Sequence, residues 1–165
     1  MTKYLVVDAS NTFFRARHAA HKQSDSWDKM GFAVHVTLSS ICSAYHNYKA
    51  DHTVICLEGR SWRKDFYEPY KKNRVVARQA LTEAEQEEDK LFFEAFDELK
   101  AFLKESTNCT VLQHPTLEAD DLVAGWIQAH PTDTHVIIST DSDYHQLLAE
   151  NVTQYNGVKD RKSTR

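Results

Sequence analysis

Short apolar runs alternate with amphipathic segments along most of this chain, which has 165 residues. Apolar runs with the length of buried strands occupy residues 4–7, 53–57, 109–113, 135–139 and 152–155. Between them, apolar residues recur at helical spacing and predict helices at 13–21, 31–48, 83–104, 117–127 and 144–149. Thr82 and Glu85 form a capping box before the third of these helices. Residues 9–12 are predicted to form a turn and cap, residues 23–26 a loop, and residues 157–165 a basic, polar and frayed end. We predict one α/β domain over residues 1–165, with a mostly parallel central sheet flanked by helices.

Acidic residues follow the predicted strands. Asp8 ends the first strand, Glu58 follows the second and Asp141 follows the fourth. The carboxyl ends of parallel strands share one edge of a sheet, and α/β proteins place their sites there. We therefore expect these acids to lie close together, although they are far apart in the sequence.

The stretch 115–124, after the third predicted strand, carries Glu118, Asp120 and Asp121 among apolar residues. Acids in the first turn of a helix suit its dipole, which accounts for one or two of them. Three crowded carboxylates repel one another and are typical of a site that holds a cation or shares protons. On an ideal helix Asp120 points away from Glu118, so all three converge only if the helix begins near Ala119.

Asp141 and Asp143 form a second acidic pair, and Asp141 also has the position of a helix N-cap. Sites built only from carboxylates favour hard cations, here Mg²⁺ or Mn²⁺, and this many acids indicate two ions. Two ions roughly 4 Å apart stabilise the attacking water and the leaving oxygen of a phosphodiester. Neutralising all seven acids would change the net charge from −4 to +3. The seven candidate ligands are Asp8, Glu58, Glu118, Asp120, Asp121, Asp141 and Asp143.

The segment 60–78 is basic and aromatic. Basic residues among aromatic ones suit phosphates and stacked bases, which indicates a nucleic-acid contact. The alternative is a solvated loop whose aromatic side chains pack into the core. The basic residues are Arg60, Arg63, Lys64, Lys71, Lys72, Arg74 and Arg78, and the aromatic ones are Trp62, Phe66, Tyr67 and Tyr70.

Other classes of site lack their sequence signals. Cys42, Cys56 and Cys109 are far apart and are predicted to be buried thiols in a reducing compartment. The four glycines form no phosphate-binding loop, and no Ser-His-Asp order is present. No apolar run reaches the roughly 18 residues of a membrane span, and the N-terminus lacks the apolar core of a signal peptide.

Four motifs together resemble the 5′-nuclease superfamily, which includes flap endonucleases and 5′–3′ exonucleases, and the bacteriophage enzymes are the most similar. They cover most of the chain in the family's order. The first is Asp8 with Asn11, Phe14 and Arg15, the second is Trp62-Arg63 with 70–74, and the others are 118–121 and 139–143. The resemblance implies a PIN-like fold and metal-dependent cleavage of DNA near 5′ ends or flaps. It also implies removal of RNA primers from RNA–DNA hybrids. The protein would then act in the cytoplasm, or in the host cytoplasm if it is viral.

The resemblance also implies roles for single residues. Asp8, Glu58, Glu118 and the catalytic Asp120 would hold a first metal ion, and Asp121, Asp141 and Asp143 would serve a second, partly through water. Lys71 and Arg74 would act at the scissile phosphate, and Tyr70 would stack on the terminal unpaired base. Arg15, Arg63 and Lys72 would contribute to DNA binding.

The sequence departs from the family pattern in two respects, and these leave other functions open. The family usually has aspartate where Glu58 stands, and the longer side chain would reach a metal differently. We expect the family's C-terminal duplex-binding region to be absent from residues 1–165, so that a further segment or replication proteins would act as partners. The alternatives are therefore a branched-nucleic-acid-binding fragment that does not cut, and a PIN-type ribonuclease, which normally lacks the basic segment. A receiver-type domain is excluded because the third strand ends at His114-Pro115 without an acceptor aspartate.

Overall fold

The computed structural model describes residues 1–20, 25–156 and the short strand at 162–163. Six strands form one sheet in the order β3-β2-β1-β4-β5-β6. Their bounds are Lys3–Asp8 (β1), His52–Cys56 (β2), Thr110–Leu112 (β3), Thr134–Ile138 (β4), Val152–Tyr155 (β5) and Lys162–Ser163 (β6). The first five run parallel and β6 pairs antiparallel with β5, so the predicted mostly parallel α/β sheet is confirmed.

Helices cover both faces of the sheet. The α-helices of the described residues are Ala9–Ala19 (α1), Ser26–Asn47 (α2), Arg63–Phe66 (α3), Lys72–Gln79 (α4), Glu83–Glu105 (α5) and Ala119–Ala129 (α6), and a 3₁₀ helix spans Ser142–Leu147. None of the helices in this described part combines the length and the apolar character that crossing a membrane requires.

The central strand β1 divides the core into two layers. Successive side chains of a strand point to opposite faces. Leu5 and Val7 accordingly join the apolar cluster under α1, α2 and α5, while Val6 joins the cluster under α6. In the first cluster Phe13 stacks on Phe92, with ring centroids 4.5 Å apart. Both layers pack on β1, and this strand ends at Asp8.

The long helix α5 begins as the sequence predicts. Thr82 accepts a hydrogen bond from the Glu85 backbone N–H, and the Glu85 side chain accepts one from the Thr82 backbone N–H, which is the predicted capping box. The apolar face of this helix is buried at Phe92, Phe96 and Leu99.

Several helix starts differ from the sequence prediction. Residues 9–12 were expected to form a turn, but α1 begins at Ala9 because the Asp8 side chain caps it. Helix α2 begins at Ser26 instead of residue 31 because Asp25 caps it, and the rest of the loop predicted at 23–26 lies outside the described residues. Segment 60–78 contains α3 and α4, which the sequence analysis did not predict.

The three cysteines also differ from one another. Cys56 is buried as predicted, Cys109 is half-buried, and Cys42 is exposed on α2, contrary to the prediction of a buried thiol. The predicted frayed end at 157–165 lies outside the described residues except for β6.

Candidate metal centre and nucleic-acid interface

A cleft of about 780 Å³ lies at the carboxyl edge of the sheet, and we call it the acidic cleft. Asp8 ends β1, Glu58 lies two residues beyond β2, the acidic start of α6 follows β3, and Asp141 lies three residues beyond β4. The parallel topology therefore brings acids from four strand ends to one place. The acids that line the cleft are Asp8, Glu58, Glu118, Asp120, Asp141 and Asp143.

Asp8 is the most deeply placed aspartate of the cleft, with only 6% of its surface exposed. Its Oδ1 accepts a hydrogen bond from the Asn11 backbone N–H at 3.3 Å. Its Oδ2 accepts from the Tyr144 hydroxyl at 2.9 Å and from the Ser139 hydroxyl at 3.3 Å. Burial raises the pKa of Asp8, and the negative charge of Asp141 adds to this effect.

The acidic stretch has the geometry required for convergence. Helix α6 begins at Ala119, with Glu118 as its N-cap residue, and the Glu118 backbone N–H donates to the Asp121 carboxylate at 3.0 Å. Carboxylate oxygens of Glu118, Asp120 and Asp121 lie within 4.8 Å of one another. The sequence predicts that the three acids converge only if the helix begins near Ala119, and α6 begins there.

Glu118 is almost fully buried and is surrounded by donors. Its carboxylate accepts from the Ser61 and Tyr70 hydroxyls at 3.0 Å each, from Arg63 at 2.6 Å, and from the Lys71 ammonium. Burial alone would raise the pKa of Glu118, but the Lys71 contact and the two hydroxyls lower it overall. Positive charge therefore already compensates this carboxylate within the chain.

Glu58 and Asp120 are compensated less fully: the charge of Lys71 lowers the pKa of Glu58 and that of Arg63 lowers the pKa of Asp120, but burial outweighs both effects. Desolvation in the cleft raises the pKa of Glu58 to about 7, although part of the residue is exposed, and the charge of Asp8 contributes next. Desolvation also raises the pKa of Asp120, followed by the charges of Asp121 and Glu118. Both shifts indicate crowded negative charge that a cation would relieve.

Asp141 has the predicted N-cap role and accepts from the Asp143 backbone N–H at 2.9 Å, at the start of the 3₁₀ helix. Asn11 ties this turn to α1, because its side-chain oxygen accepts from the Thr140 backbone N–H at 3.0 Å. The turn is thereby fixed next to Asp8, which accepts a backbone hydrogen bond from the same Asn11.

The basic segment also contributes to the lining of the cleft. Tyr70, Lys71 and Arg74 line it together with the acids. Lys71 has a left-handed backbone, with φ of 56°, which non-glycine residues adopt infrequently. Its position at the N-terminus of α4 places the ammonium on Glu118.

Three other predicted site residues make different contacts. Arg15 donates to the Asn156 carbonyl, and Lys72 pairs with Glu68 at 3.0 Å. Arg63 binds both oxygens of Asp121, at 2.9 and 3.1 Å, in addition to Glu118. None of these, nor Asp121, is among the described residues that line the acidic cleft.

Backbone pairing holds the start of the basic segment against the acidic stretch. The N–H groups of Gly59, Arg60 and Trp62 donate to the Leu117, Pro115 and Thr116 carbonyls at 2.8–2.9 Å. A Cβ atom at Gly59 would lie 1.9 Å from the His114 oxygen, so only glycine permits this approach. No local sequence pattern marks Ser61, Ser139 and Tyr144 as partners of the acids, and only the structure reveals them.

The chemistry of the cleft fits divalent cations. Its acidic donors are all carboxylate oxygens, which suit hard cations such as Mg²⁺ and Mn²⁺. Burial is the first cause of the raised pKa values of Asp8, Glu58 and Asp120, and the charge of a neighbouring carboxylate adds to each. The donor set therefore fits divalent cations by its own chemistry, without reference to similar proteins.

The family model for the N-terminal resolvase-like domain of 5′-3′ exonucleases matches residues 3–165. The chain belongs to this family. The match includes every strand end that contributes an acid to the cleft, and it confirms the resemblance drawn from the four motifs.

Curated relatives and a solved structure agree with membership in the 5′-3′ exonuclease family. The chain is 29% identical to the flap endonuclease Xni of Pseudoalteromonas translucida over 94% of its length, and 30% identical to the flap endonuclease of Escherichia phage T5 over 92%. It covers 58% and 50% of those proteins, so it spans about half the length of the curated relatives it matches.

The fold also matches a crystal structure of the bacteriophage T5 flap endonuclease, described as a pseudo-enzyme-product complex with DNA and metal ions. The TM-score is 0.78 at 26% identity, and the match covers 98% of this chain and 57% of the other.

Proposed function

We propose that this chain is the catalytic N-terminal part of a metal-dependent 5′ nuclease that hydrolyses phosphodiester bonds in DNA. The acidic cleft carries this proposal, because six carboxylates from four strand ends line it together with Tyr70, Lys71 and Arg74. A phosphodiester is negatively charged and is repelled by these acids unless cations offset them. Membership in the 5′-3′ exonuclease family supports the same function.

Asp8, Glu58, Glu118 and Asp120 would hold one divalent ion, and Asp141 and Asp143 would serve a second, partly through water. We infer that Mg²⁺ is the natural ion and that Mn²⁺ replaces it. When bound, the ions would supply the charge that activates water and stabilises the leaving oxygen. The T5 flap endonuclease structure contains metal ions, which supports this assignment.

Lys71 and Arg74 would bind the scissile phosphate, and Tyr70 would stack on the terminal base. Their position in the lining of the acidic cleft, beside the acids, supports these roles. Lys71 now contacts Glu118, and a cation bound by Glu118 would release the Lys71 ammonium toward a phosphate. For Arg15 and Lys72, DNA binding remains a proposal that requires each to leave its present partner.

We infer a separate role for Asp121 and Arg63. The guanidinium of Arg63 binds Asp121 through two nitrogens and also reaches Glu118. These contacts support Asp121 as an anchor for Arg63, which in turn orients Glu118, in place of the metal-binding and DNA-binding roles that the family resemblance implies for the two residues.

The substrates would be DNA with 5′ ends or flaps, and RNA primers paired to DNA. The names of the two flap endonuclease relatives, and the DNA in the T5 structure, support the DNA part of this proposal. Partners would include a further C-terminal segment or replication proteins. An enzyme acting on replicating bacterial or phage DNA would work in the cytoplasm.

Cleavage of an end-labelled 5′-flap DNA by this chain tests the proposal. Cutting in Mg²⁺ or Mn²⁺, abolished by EDTA, is expected, and Asp120→Asn should reduce its rate by about 100-fold or more because a ligand is lost. Asp28→Asn is the matched control, since Asp28 is an exposed acid in the first turn of α2 and is not among the described residues that line the acidic cleft.

Flap binding without metal-dependent cutting by the wild type would contradict a self-sufficient nuclease and favour the binding-fragment alternative. Cutting of single-stranded RNA in preference to flap DNA would favour the PIN-type ribonuclease.

A further inference from the structure

Tyr144 connects two parts of the acidic cleft, namely Asp8 at the end of β1 and the Asp141–Asp143 turn after β4. It lies in the 3₁₀ helix directly after Asp143, and its hydroxyl donates to Oδ2 of Asp8 at 2.9 Å. These residues are 136 positions apart in the sequence, so the hydrogen bond joins the end of β1 to the turn after β4. Only 1% of Tyr144 is exposed, which makes this a buried contact.

The ring of Tyr144 is anchored in the core. It belongs to the apolar cluster that includes Val6, Ala119 and Val123, beneath the start of α6. The ring therefore cannot follow Asp8 if that side chain rotates, and its hydroxyl marks a fixed point in the cleft wall.

Ser139 reinforces the same contact from the other side of the turn. Its hydroxyl donates to Asp8 Oδ2 at 3.3 Å and accepts from the Asp141 backbone N–H at 3.1 Å. Gln154 also stabilises the Asp141–Asp143 turn, because its side-chain nitrogen donates to the Ser139 and Asp141 carbonyls at 2.9 and 2.8 Å. One oxygen of Asp8 is thus bound by two hydroxyls that flank the Asp141–Asp143 turn.

We propose that Tyr144 is a positioning residue for the metal centre: its hydroxyl fixes the rotamer of Asp8 and sets the spacing between Asp8 and the Asp141–Asp143 turn. This inference rests on the proposed metal-dependent function. A carboxylate with one oxygen held by such a donor presents its other oxygen, here Oδ1 beside the Asn11 N–H, in one direction, and loss of the donor weakens metal binding. Tyr144 itself contacts no substrate or metal in this role.

Binding of Mn²⁺ to the 165-residue chain, followed by the electron paramagnetic resonance signal of free Mn²⁺, tests the inference without an activity measurement. Tyr144→Phe removes the hydroxyl and keeps the buried ring, and it should raise the dissociation constant of Mn²⁺ by about 10-fold. Tyr45→Phe is the matched control, because the Tyr45 hydroxyl donates to the Asp51 carbonyl at 3.3 Å, away from the cleft. It should leave the Mn²⁺ affinity unchanged.

Thermal melting in EDTA establishes that each variant is folded. Ser139→Ala, which removes the other hydroxyl from the same Asp8 oxygen, should also weaken Mn²⁺ binding and replaces Tyr144→Phe if that variant does not fold. Equal Mn²⁺ affinity of the wild type and a folded Tyr144→Phe variant would overturn the positioning role and leave the metal centre standing. Absence of Mn²⁺ binding by the wild type would overturn the metal centre and this inference with it.

Discussion

Arg63→Ala tests whether ion pairs hold the basic segment against the acidic start of α6. The guanidinium donates to Glu118 at 2.6 Å and to Asp121 at 2.9 and 3.1 Å. The Glu118 side chain is 3% exposed and that of Arg63 is 32% exposed, so the contact is partly shielded from water. After the substitution Glu118 still accepts from other donors, such as Ser61 and Tyr70.

The magnitude lies between two limits. A hydrogen bond to a charged group contributes about 1.5–3 kcal/mol, whereas a fully exposed ion pair contributes about 0–1 kcal/mol. Arg63 makes three such contacts, but water screens it and Glu118 keeps other donors. We therefore expect the free energy of unfolding to fall by about 2–3 kcal/mol. Loss of the guanidinium above the Trp62 ring, 4.9 Å from its centroid, contributes to this fall.

Urea denaturation in EDTA, followed by circular dichroism, measures the effect. Arg60→Ala is the matched control, because Arg60 also makes a 2.6 Å ion pair, with Asp65, but the two side chains are 67% and 49% exposed. Its loss should lower the free energy of unfolding by about 0–1 kcal/mol. Equal losses for the two variants would refute the view that shielding at Glu118 makes the Arg63 contacts strong.

Gly59→Ala should lower the free energy of unfolding by about 3 kcal/mol or more, because its Cβ would meet the His114 oxygen. Gly31→Ala has open space around it and should raise the free energy of unfolding by about 0.5–1 kcal/mol. Equal urea midpoints for the two variants would contradict this. Thr82→Ala removes the capping box of α5 and should lower the free energy of unfolding by about 1 kcal/mol, and an unchanged urea midpoint would contradict the cap. The affinity for Mn²⁺, measured by calorimetry, should rise with pH until about 7, because the raised pKa of Glu58 leaves its carboxyl protonated below that value and the cation must displace the proton. Glu58→Gln should reduce this slope, and an identical slope in the variant would argue against Glu58 as a ligand.

The sheet and the location of the site were predictable from the sequence. Apolar runs alternating with helical periods determine a parallel sheet, and the topology alone carries Asp8, Glu58 and Asp141 to one edge. The start of α6 was predictable only together with the metal site: if Glu118 and Asp120 share a site, the helix must begin near Ala119.

The contacts that orient the acids were not predictable, because they join distant parts of the chain. Ser61 reaches Glu118 across 57 positions, and Tyr144 reaches Asp8 across 136. No periodicity or motif marks such pairs, which arise only when the strands are aligned. The start of α1 was missed for a different reason: residues 10–12 have the composition of a helix cap, but Asp8 already fills that role.

The neighbouring variants Asp120→Asn and Asp121→Asn, compared in cleavage of a 5′-flap DNA under single-turnover conditions, test the central claim most directly. The claim is that the acids of the cleft hold the catalytic cations, whereas Asp121 anchors Arg63. Asp120→Asn should slow metal-dependent cleavage by about 100-fold or more at every Mg²⁺ concentration. Asp121→Asn should slow it by about 10-fold or less, with a smaller loss of stability than Arg63→Ala, because Arg63 keeps its contact with Glu118. Equal rates for wild type and Asp120→Asn, or loss of cleavage only in Asp121→Asn, would contradict the account.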